Sequence, residues 1–423
     1  MQPVPEEQEG RDPAAVPHKA RGLSRRSLMG IFGITGATAT LGVAGYAGVS
    51  QLTKPAPTPT VETEQVQASD VVAFDGIHQA GIATPAQSNV VLTAYDVAGT
   101  AGKAEIAAVM KAWTLAGRAL TTGSSMEGDP DISTGSSTAS LSITVGVGAT
   151  LVEKIKAQRP GALVDLPAFA GDQIDPLRSG GDLVVQLCAD DPLVLAQADR
   201  VLTRLARGIL RVRWQEQGFG STGARKDGRT GRNLMGQLDG TNNVTTSALA
   251  KAGPIWVSDD GPAWLAGGSY LVVRRIRMLT EQWDQTNKGQ QERVIGRTKD
   301  TGAPLGSKLE SDFVDLEAKN PDGSLTIPAD SHVRLAKPAS SAENMMRRGY
   351  SYRGAVLPDG SVDQGLLFLA FQKDPSTSFI PVQQRLAAHD ALERFTLTTS
   401  SGVFAILPGV SAESDWLGSA LFS

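Results

Sequence analysis

One apolar stretch, Gly181-Asp-Leu-Val-Val-Gln-Leu187, has the composition of a buried β-strand, and it leads through Asp191-Pro192 into a helical pattern over residues 193–207. A second stretch, Gly365-Leu-Leu-Phe-Leu-Ala-Phe371, leads in the same way through Asp374-Pro375 into a helix. The same order of strand, Asp-Pro and helix thus occurs once in each half of the chain. Such self-similarity indicates a duplicated structural unit.

Further elements around the two stretches follow one plan. They are predicted strands over residues 89–95, 141–145 and 269–275, and predicted helices over residues 104–120, 280–287 and 381–393. Because the matching strands are similarly separated in the two halves, we predict an α+β protein of two ferredoxin-like βαββαβ units. Two unrelated α+β segments are the alternative on pattern alone.

The composition sets limits on the function. A chain of 423 residues is long enough for two or more domains, each with its own core. The formal net charge of -4 gives no electrostatic case for nucleic-acid binding, so we expect no nucleic-acid partner. Cys188 is the only cysteine, which rules out an intramolecular disulfide and a cysteine-based zinc or iron–sulfur site.

The N-terminus has the features of a targeting segment. Residues 27–53 carry no charge and follow the basic stretch 19–26. Arg25-Arg26 resembles the pair of a twin-arginine export signal, a route that carries folded proteins already loaded with cofactor. We therefore expect residues 1–53 to engage the twin-arginine translocase and the protein to be exported to the periplasm or the extracellular cell envelope. Retention as a membrane anchor is the alternative, because about 20 apolar residues span a bilayer.

The remaining chain divides into three parts. Residues 54–70 contain several prolines, threonines and glutamates and are predicted to be a flexible linker. We expect the N-terminal ferredoxin-like domain to occupy residues 71–245. The C-terminal ferredoxin-like domain is expected over residues 246–423.

Two short motifs carry candidate chemistry. In Gly236-Gln-Leu-Asp-Gly240, two glycines bracket Asp239, which lets the backbone approach a flat ligand and leaves the carboxylate room to point into a cavity. Asp-Gly is also common in turns, so this motif alone is weak evidence for a site and fits an ordinary turn better. Farther along, His332 is followed by Arg347. A lone imidazole followed by arginines fits a haem site, in which one neutral nitrogen holds the iron.

Four motifs in this order resemble those of the dye-decolourising peroxidases. They are Gly236-Gln-Leu-Asp-Gly240, His332-Val-Arg-Leu-Ala336, Arg347-Arg-Gly-Tyr-Ser-Tyr352 and Gly365-Leu-Leu-Phe-Leu-Ala-Phe-Gln372. The resemblance covers about residues 71–423, and with the leader it is closest to the exported deferrochelatase/peroxidase branch, which accompanies an iron-uptake system. It implies a dimeric-α/β-barrel-type body of two ferredoxin-like domains, with one haem b per chain bound in the second.

The resemblance also implies roles for individual residues. His332 matches the proximal ligand of the haem iron, and Asp390 is expected to orient its other ring nitrogen. Asp239 matches the distal carboxylate, which moves a proton between the two oxygens of hydrogen peroxide. Arg347 matches the distal arginine, whose charge stabilises the breaking O–O bond, and Arg348 is the alternative for that role.

Three more residues are expected at the haem. Arg334, two residues after the ligand on an extended segment, is expected to reach a haem propionate, with a structural ion pair as the alternative. Strand alternation places Leu369 and Phe371 on one face, and these two resemble the residues that roof the distal pocket and restrict it to peroxide-sized molecules. Ordinary core packing is the alternative for both.

These features together predict a haem b peroxidase that reduces hydrogen peroxide and oxidises dyes, phenols or other organic donors through a ferryl intermediate. One alternative is a deferrochelatase, which releases iron from haem and leaves the porphyrin intact. Another is a non-catalytic haem carrier, against which the pair Asp239 and Arg347 counts, since a carrier needs only the axial ligand. Components of an iron-uptake system are expected as further partners.

Overall fold

The computed structural model describes residues 70–126, 129–133, 135–221, 230–244, 255–258, 261–411 and 414–423. The expected export signal over residues 1–53, and the expected linker except for its last residue, lie outside this part of the chain. The boundary expected between residues 245 and 246 also lies outside it and stays a prediction. Within the described ranges, no helix combines the length and the apolar character that crossing a membrane requires.

Four strands and three helices make up the first half. They are β1 (Asn89–Val97), α1 (Lys103–Thr121), β2 (Ser142–Val147), α2 (Ala149–Lys154), β3 (Leu183–Ala189), α3 (Pro192–Leu205) and β4 (Leu210–Phe219). The strands pair antiparallel in the order β2-β3-β1-β4. This is the strand order of a ferredoxin-like sheet.

Local chemistry explains why these elements form. β3 is buried along its whole length because both of its faces are covered, which accounts for its continuous apolar run. α3 begins at Asp191, whose carboxylate accepts a 2.7 Å hydrogen bond from the N–H of Leu193, while Pro192 occupies a position that needs no N–H partner. α1 is amphipathic and buries the face that carries Met110 and Trp113.

The second half repeats the plan with more and shorter elements. They are β5 (Ser269–Met278), α4 (Thr280–Gln285), α5 (Lys288–Ile295), α6 (His332–Leu335), β6 (Met346–Arg347), β7 (Tyr350–Val356), β8 (Val362–Gln372), α7 (Phe379–His389), β9 (Thr396–Ile406) and the terminal α8 (Ser419–Phe422). The long strands pair antiparallel in the order β7-β8-β5-β9, which matches the order in the first half. The short β6 lies ahead of β7 along β8.

Two seams join the halves into a closed ring of eight strands. β2 pairs with β9 through Gly146 and Ile406, and β4 pairs with β7 through Phe219 and Ser351. Every pairing between these strands is antiparallel. The predicted body of two ferredoxin-like units forming a dimeric-α/β-barrel-type structure is thus confirmed.

The inside of the ring is one apolar core to which both halves contribute. Its buried residues include Val90, Leu92 and Val184 from the first half and Val273, Leu369, Phe371 and Phe404 from the second. On the outer face of the first half, α1 and α3 pack directly on the sheet and on each other, and the indole N–H of Trp113 donates to the carbonyl of Leu202 at 2.9 Å. The outer face of the second half instead borders a cavity.

Candidate active site

A cavity of about 1120 Å³ lies between the outer face of the second-half sheet and helices α6 and α7. Its size is slightly above the usual range for ligand and cofactor sites, about 300–1,000 Å³. Its apolar lining includes Met235, Ile276, Leu366, Phe368, Val382 and Leu386, and its polar lining includes Asp239, Arg274, Arg297, His332, Arg347, Asp390 and Glu393. Mostly apolar walls with a few convergent polar groups are typical of a site for a small molecule or a cofactor.

His332 enters the cavity from the first position of α6. Its Nδ1 lies 2.6 Å from Oδ2 of Asp390, so Nδ1–H donates to the carboxylate and Nε2 is left as the nitrogen with a lone pair. The side chain of His332 is 34% exposed because it faces the cavity, whereas that of Asp390 is only 2% exposed. This arrangement leaves one imidazole nitrogen available to a metal from the cavity side.

Asp390 is held by the turn in which it lies. It ends α7 and begins a 3₁₀ turn over Ala391–Phe395, where its Oδ1 accepts a 2.9 Å hydrogen bond from the N–H of Leu392. The N–H of Ala391 donates to the carbonyl of Asp330, at 2.9 Å, and so ties this turn to the residues ahead of His332. The segment around residue 330 and the turn after α7, which are distant in the chain, are therefore held together at the site.

The electrostatics of His332 reflect these neighbours. Burial disfavours the imidazolium and acts to lower the pKa of His332, but the carboxylate of Asp390 outweighs this, with a further contribution from Asp239. The net result is a pKa of His332 raised above its usual value. The proton that Asp390 attracts is the one on Nδ1, which fixes the ring tautomer.

The loop that carries Asp239 needs its two glycines. Gly236 has φ +76° and Gly240 has φ +130°, both in the region that other residues rarely adopt. Arg232 donates to the carbonyl of Gly236 at 2.7 Å, and the N–H of Asp239 donates to the carbonyl of Gly231 at 2.9 Å. The turn therefore presents the Asp239 carboxylate to the cavity.

Asp239 and Arg347 face each other across this part of the cavity. Nη1 of Arg347 lies 3.5 Å from Oδ1 of Asp239, and each side chain is about one-third exposed, at 30% and 31%. Asn243, which sequence analysis missed, holds the backbone of Arg347 on both sides. It accepts from the Arg347 N–H at 2.9 Å and donates to the Arg347 carbonyl at 2.7 Å.

Arg348, the alternative to Arg347, points away from the cavity. It is 3% exposed and donates to the carbonyls of Thr84 at 2.7 Å and Pro85 at 3.2 Å, and to the side chain of Gln87. Consecutive residues in an extended segment point to opposite sides, which explains why Arg347 faces the cavity while Arg348 is buried on the other side. Of the two arginines, only Arg347 lines the cavity.

The expected roof residues Leu369 and Phe371 do not line the cavity. Both are fully buried in the core inside the ring, with Leu367 beside them. The cavity is lined instead by Leu366 and Phe368, on the opposite face of β8. Side chains alternate along a strand, and both faces of β8 are apolar, so the sequence pattern did not reveal which face borders the cavity.

The expected position of Arg334 is also wrong. The segment after His332 is not extended but forms the single helical turn α6, in which residues two apart lie about 200° apart around the axis. Arg334 therefore points away and donates to the carbonyls of Leu316 at 2.5 Å, Ile327 at 2.8 Å and Pro328 at 3.1 Å. It fastens the preceding loop rather than facing the cavity.

Two arginines line the cavity that sequence analysis did not place there. Arg274 forms a bidentate pair with Asp172 at 2.5 and 3.0 Å, and its buried Nε has no hydrogen-bond partner among the described residues. Arg297 donates to the carbonyls of Gly302 at 2.7 Å and Glu310 at 3.0 Å, and burial lowers its pKa. Arg274 and its neighbour Arg275 interrupt the apolar run of this strand, which was the available sequence signal.

The residues present fit a haem. The cavity has apolar walls for a flat macrocycle, cationic side chains, and one imidazole whose free nitrogen is backed by a carboxylate. In the described ranges, no group of three or more His, Cys, Asp or Glu side chains is arranged to hold a bare metal ion. With an acid and an arginine on the same cavity, the fold and the site define a haem protein of the peroxidase class.

The comparisons with known proteins give the family. The family profiles "Dyp-type peroxidase, N-terminal" and "Dyp-type peroxidase, C-terminal" match residues 79–220 and 230–411. The chain belongs to the DyP-type, or dye-decolourising, peroxidase family. It is therefore a haem-dependent peroxidase, with hydrogen peroxide and an organic electron donor as its substrates.

Individual relatives agree with this assignment. The chain is 42% identical over 388 residues to the dye-decolorizing peroxidase of Thermobifida fusca (strain YX), which covers 87% of this chain and 89% of the relative. It is 37% identical over 371 residues to the deferrochelatase of Escherichia coli (strain K12), which covers 82% and 86%. Among solved structures, DtpA from Streptomyces lividans in an oxyferrous form superposes with a TM-score of 0.80 at 42% identity, over 84% of this chain and 98% of that one.

Proposed function

We propose that four residues carry the peroxidase reaction: His332 would hold the iron, Asp390 positions His332, and Asp239 and Arg347 act on the peroxide. The proposal rests on one observation: a histidine–carboxylate pair and an arginine–carboxylate pair line the same cavity. His332 contacts Asp390 at 2.6 Å, and Arg347 lies 3.5 Å from Asp239. Haem, when bound, supplies the redox chemistry by which hydrogen peroxide is reduced.

On the proximal side, Nε2 of His332 would hold the iron. Asp390 accepts the Nδ1 proton, which fixes the plane of the ring and makes the opposite nitrogen a stronger donor. Because Asp390 is itself held by the N–H of Leu392 at 2.9 Å, the imidazole has little freedom to rotate. Asp390 is thus a positioning residue that acts through His332.

On the peroxide side, the Asp239 carboxylate would accept a proton from one peroxide oxygen and return it to the other, which leaves as water. Arg347 would stabilise the negative charge that develops on the leaving oxygen, because its guanidinium is always charged. The 3.5 Å between Asp239 and Arg347 is longer than a tight charge-assisted hydrogen bond. Both groups therefore keep hydrogen-bonding capacity for the substrate.

The wall beside this pair is apolar. Leu366 and Phe368, on the cavity face of β8, take the position that was expected for Leu369 and Phe371. We infer that these two side chains restrict what can approach Asp239 to small molecules such as hydrogen peroxide. Large donors would then deliver electrons from outside the pocket.

The experiment that tests this proposal compares His332→Ala with His389→Ala, a matched control in which the replaced histidine is exposed at the end of α7. We expect the control to keep both its Soret absorption and its peroxide-dependent dye oxidation. We expect His332→Ala to lose haem from the purified protein and to lose dye oxidation. A His332→Ala protein with full haem content and full dye oxidation would overturn the assignment.

A deferrochelatase activity is the second candidate, supported by the 37% identity to deferrochelatases. It would release iron from haem at the same cavity and leave metal-free porphyrin. Incubation of the haem-loaded protein without peroxide, followed by measurement of porphyrin fluorescence and free iron, separates the two reactions. Peroxide-dependent dye turnover without metal-free porphyrin supports the peroxidase as the main activity, and the reverse result supports the deferrochelatase.

Export is the third part of the proposal. The uncharged residues 27–53 behind Arg25-Arg26 support passage through the twin-arginine translocase, and a location in the periplasm or cell envelope beside an iron-uptake system. Replacing the pair by lysines should retain the protein, with its haem, in the cytoplasm. Export of the Arg25→Lys/Arg26→Lys protein at the normal level would contradict this route.

A further inference from the structure

A second concave site lies on the first half of the molecule, beside the C-terminal end of α3. Its volume is about 230 Å³, and it is lined by Pro130, Asp199, Thr203, Arg200, Arg204 and Arg207. None of these residues lines the haem cavity. The peroxidase reaction gives this site no role.

The three arginines converge on this site. Arg200 and Arg204 are one helical turn apart, which places them on the same face of α3 at a rise of about 6 Å. Arg207 follows just after the helix ends at Leu205 and faces the same concavity. Arg200 and Arg207 are exposed, and Arg204 is half-buried.

No ion pair joins these three arginines to an acidic side chain in the part of the chain that the structure describes. Other arginines of the first half have acidic partners, as Arg213 does in Asp96 at 3.2 Å. The carboxylate that lines the site, Asp199, is engaged by the side chain of Gln215 at 3.0 and 3.1 Å. Three positive charges therefore share the concavity with one carboxylate, which leaves a net positive charge at the site.

This arrangement has a cost that the fold does not explain. Like charges one helical turn apart destabilise a helix by about 0.2–0.5 kcal/mol. The helix dipole favours cations in the last turn, which accounts for Arg204, but Arg200 lies more than a turn from the end. A bound anion would offset the repulsion among all three.

We propose that this site binds a soluble anion carrying two or more phosphate groups. A guanidinium binds a phosphate through two parallel hydrogen bonds, so an arginine cluster is suited to phosphate rather than to a single carboxylate. The three guanidiniums offer three forked pairs of donors, and a ligand with two or more phosphates gives each fork its own pair of oxygens. The concave shape, with Pro130 as a wall, favours a soluble ligand over a flat membrane surface.

The test is calorimetric titration of the full-length, haem-loaded protein with inorganic triphosphate at low ionic strength. We expect the double variant Arg200→Gln/Arg204→Gln to bind at least about tenfold more weakly than the wild type. The matched control is Arg293→Gln, an exposed arginine in the last turn of α5, and it should bind as the wild type does. Arg204→Lys, which keeps the charge but loses the planar fork, should bind with intermediate affinity. Dye oxidation should be unchanged in all variants.

Several outcomes would overturn the proposal. One is the absence of triphosphate binding to the wild type, and another is equal affinity in the wild type and the double variant. Equal affinity for sulfate and triphosphate at matched ionic strength would show general charge attraction rather than a phosphate site. Tighter binding to phosphatidylglycerol vesicles than to triphosphate, lost in the double variant, would assign the arginines to a membrane surface instead.

Discussion

The first half and the second half of this molecule share one strand order but differ in what covers the sheet. In the first half, α1 with 19 residues and α3 with 14 pack directly on the outer face. In the second half, the corresponding face is covered by α7 with 11 residues and the four-residue α6, and a cavity of about 1120 Å³ remains. The same strand order therefore supports a filled core in the first half and forms the floor of a cofactor site in the second.

The third strands of the two halves show the difference at single residues. On β3, Leu187 faces outward into a core that helices fill, and it is 2% exposed. On β8, the outward residues Leu366 and Phe368 border the cavity. An apolar outward face can thus be packed against helices or border a cavity, and the length and position of the covering helices determine which of the two occurs.

The largest expected effect is on kcat/KM, and it distinguishes a carboxylate in the active site from a carboxylate that caps a helix. Asp239→Asn should keep its haem absorption but lower kcat/KM for hydrogen peroxide by about 10²–10⁴, because an amide does not accept the peroxide proton. Asp191→Asn, in the first half, should leave kcat/KM unchanged, because asparagine caps a helix as well as aspartate. Steady-state dye oxidation at varied peroxide measures both. Equal kcat/KM in the two variants would remove Asp239 from the mechanism.

The next effect compares the two outward faces. Leu187→Ala should lower the free energy of unfolding by about 2–5 kcal/mol, because the filled core of the first half is left with a void. Leu366→Ala should cost less, since this side chain already borders open space, but it should widen the cavity and change the kcat/KM for bulky donors. Urea unfolding followed by circular dichroism gives the comparison. Equal losses of stability would show that β8 is packed as tightly as β3.

The next prediction concerns the neighbours Arg347 and Arg348, whose replacement should affect activity in one case and stability in the other. Arg348→Gln should lower the free energy of unfolding by about 1–3 kcal/mol, because the carbonyls of Thr84 and Pro85 lose a buried donor. Arg347→Gln should keep its stability and lose peroxide turnover. Thermal melting and dye oxidation on the same samples measure both properties. If Arg347→Gln melted early and stayed active, the two assignments would have to be exchanged.

The smallest effect concerns pH and the segment ahead of Arg347. Arg385 donates to the two carboxylate oxygens of Glu343 at 2.9 and 2.7 Å, and these hydrogen bonds, against the opposing effect of burial, lower the pKa of Glu343 below its usual 4.5. The folded protein therefore holds this proton less tightly than the unfolded chain. The stabilisation is present above about pH 4.5 and is lost as the pH falls through the lowered pKa.

We expect the melting temperature of the wild type to fall more steeply below pH 4.5 than that of Glu343→Gln, which carries no titrating group at this position. Both proteins are measured by thermal melting over the same series of buffers. Parallel curves for the two proteins would show that the ion pair does not contribute to acid stability.

The sequence predicted the elements with strong patterns. The expected strand over residues 269–275 lies within β5, the expected helix over residues 104–120 lies within α1, and the repeated order of elements led to the correct two-unit fold. Long periodic segments are predictable because many residues agree on one period. His332 and Asp390 were also expected to meet, and they do so at 2.6 Å.

The remaining errors have a physical cause. Leu366 to Phe371 is apolar at every position, so alternation could not show which face borders the cavity. The four-residue α6 is too short to produce a helical period, and the extended placement of Arg334 was therefore wrong. Asn243 acts through two backbone hydrogen bonds, which leave no pattern in the sequence.

The two seams of the strand ring are narrow, since β4 meets β7 at one residue pair and β2 meets β9 at two. The apolar side chains inside the ring, by contrast, come from both halves. Either half produced alone would expose that apolar inner surface to water, and we expect it to form a homodimer or to aggregate. The covalent link between the halves thus replaces what would otherwise be a homodimer contact, and it lets the two halves differ, so that only one of them carries the large cavity.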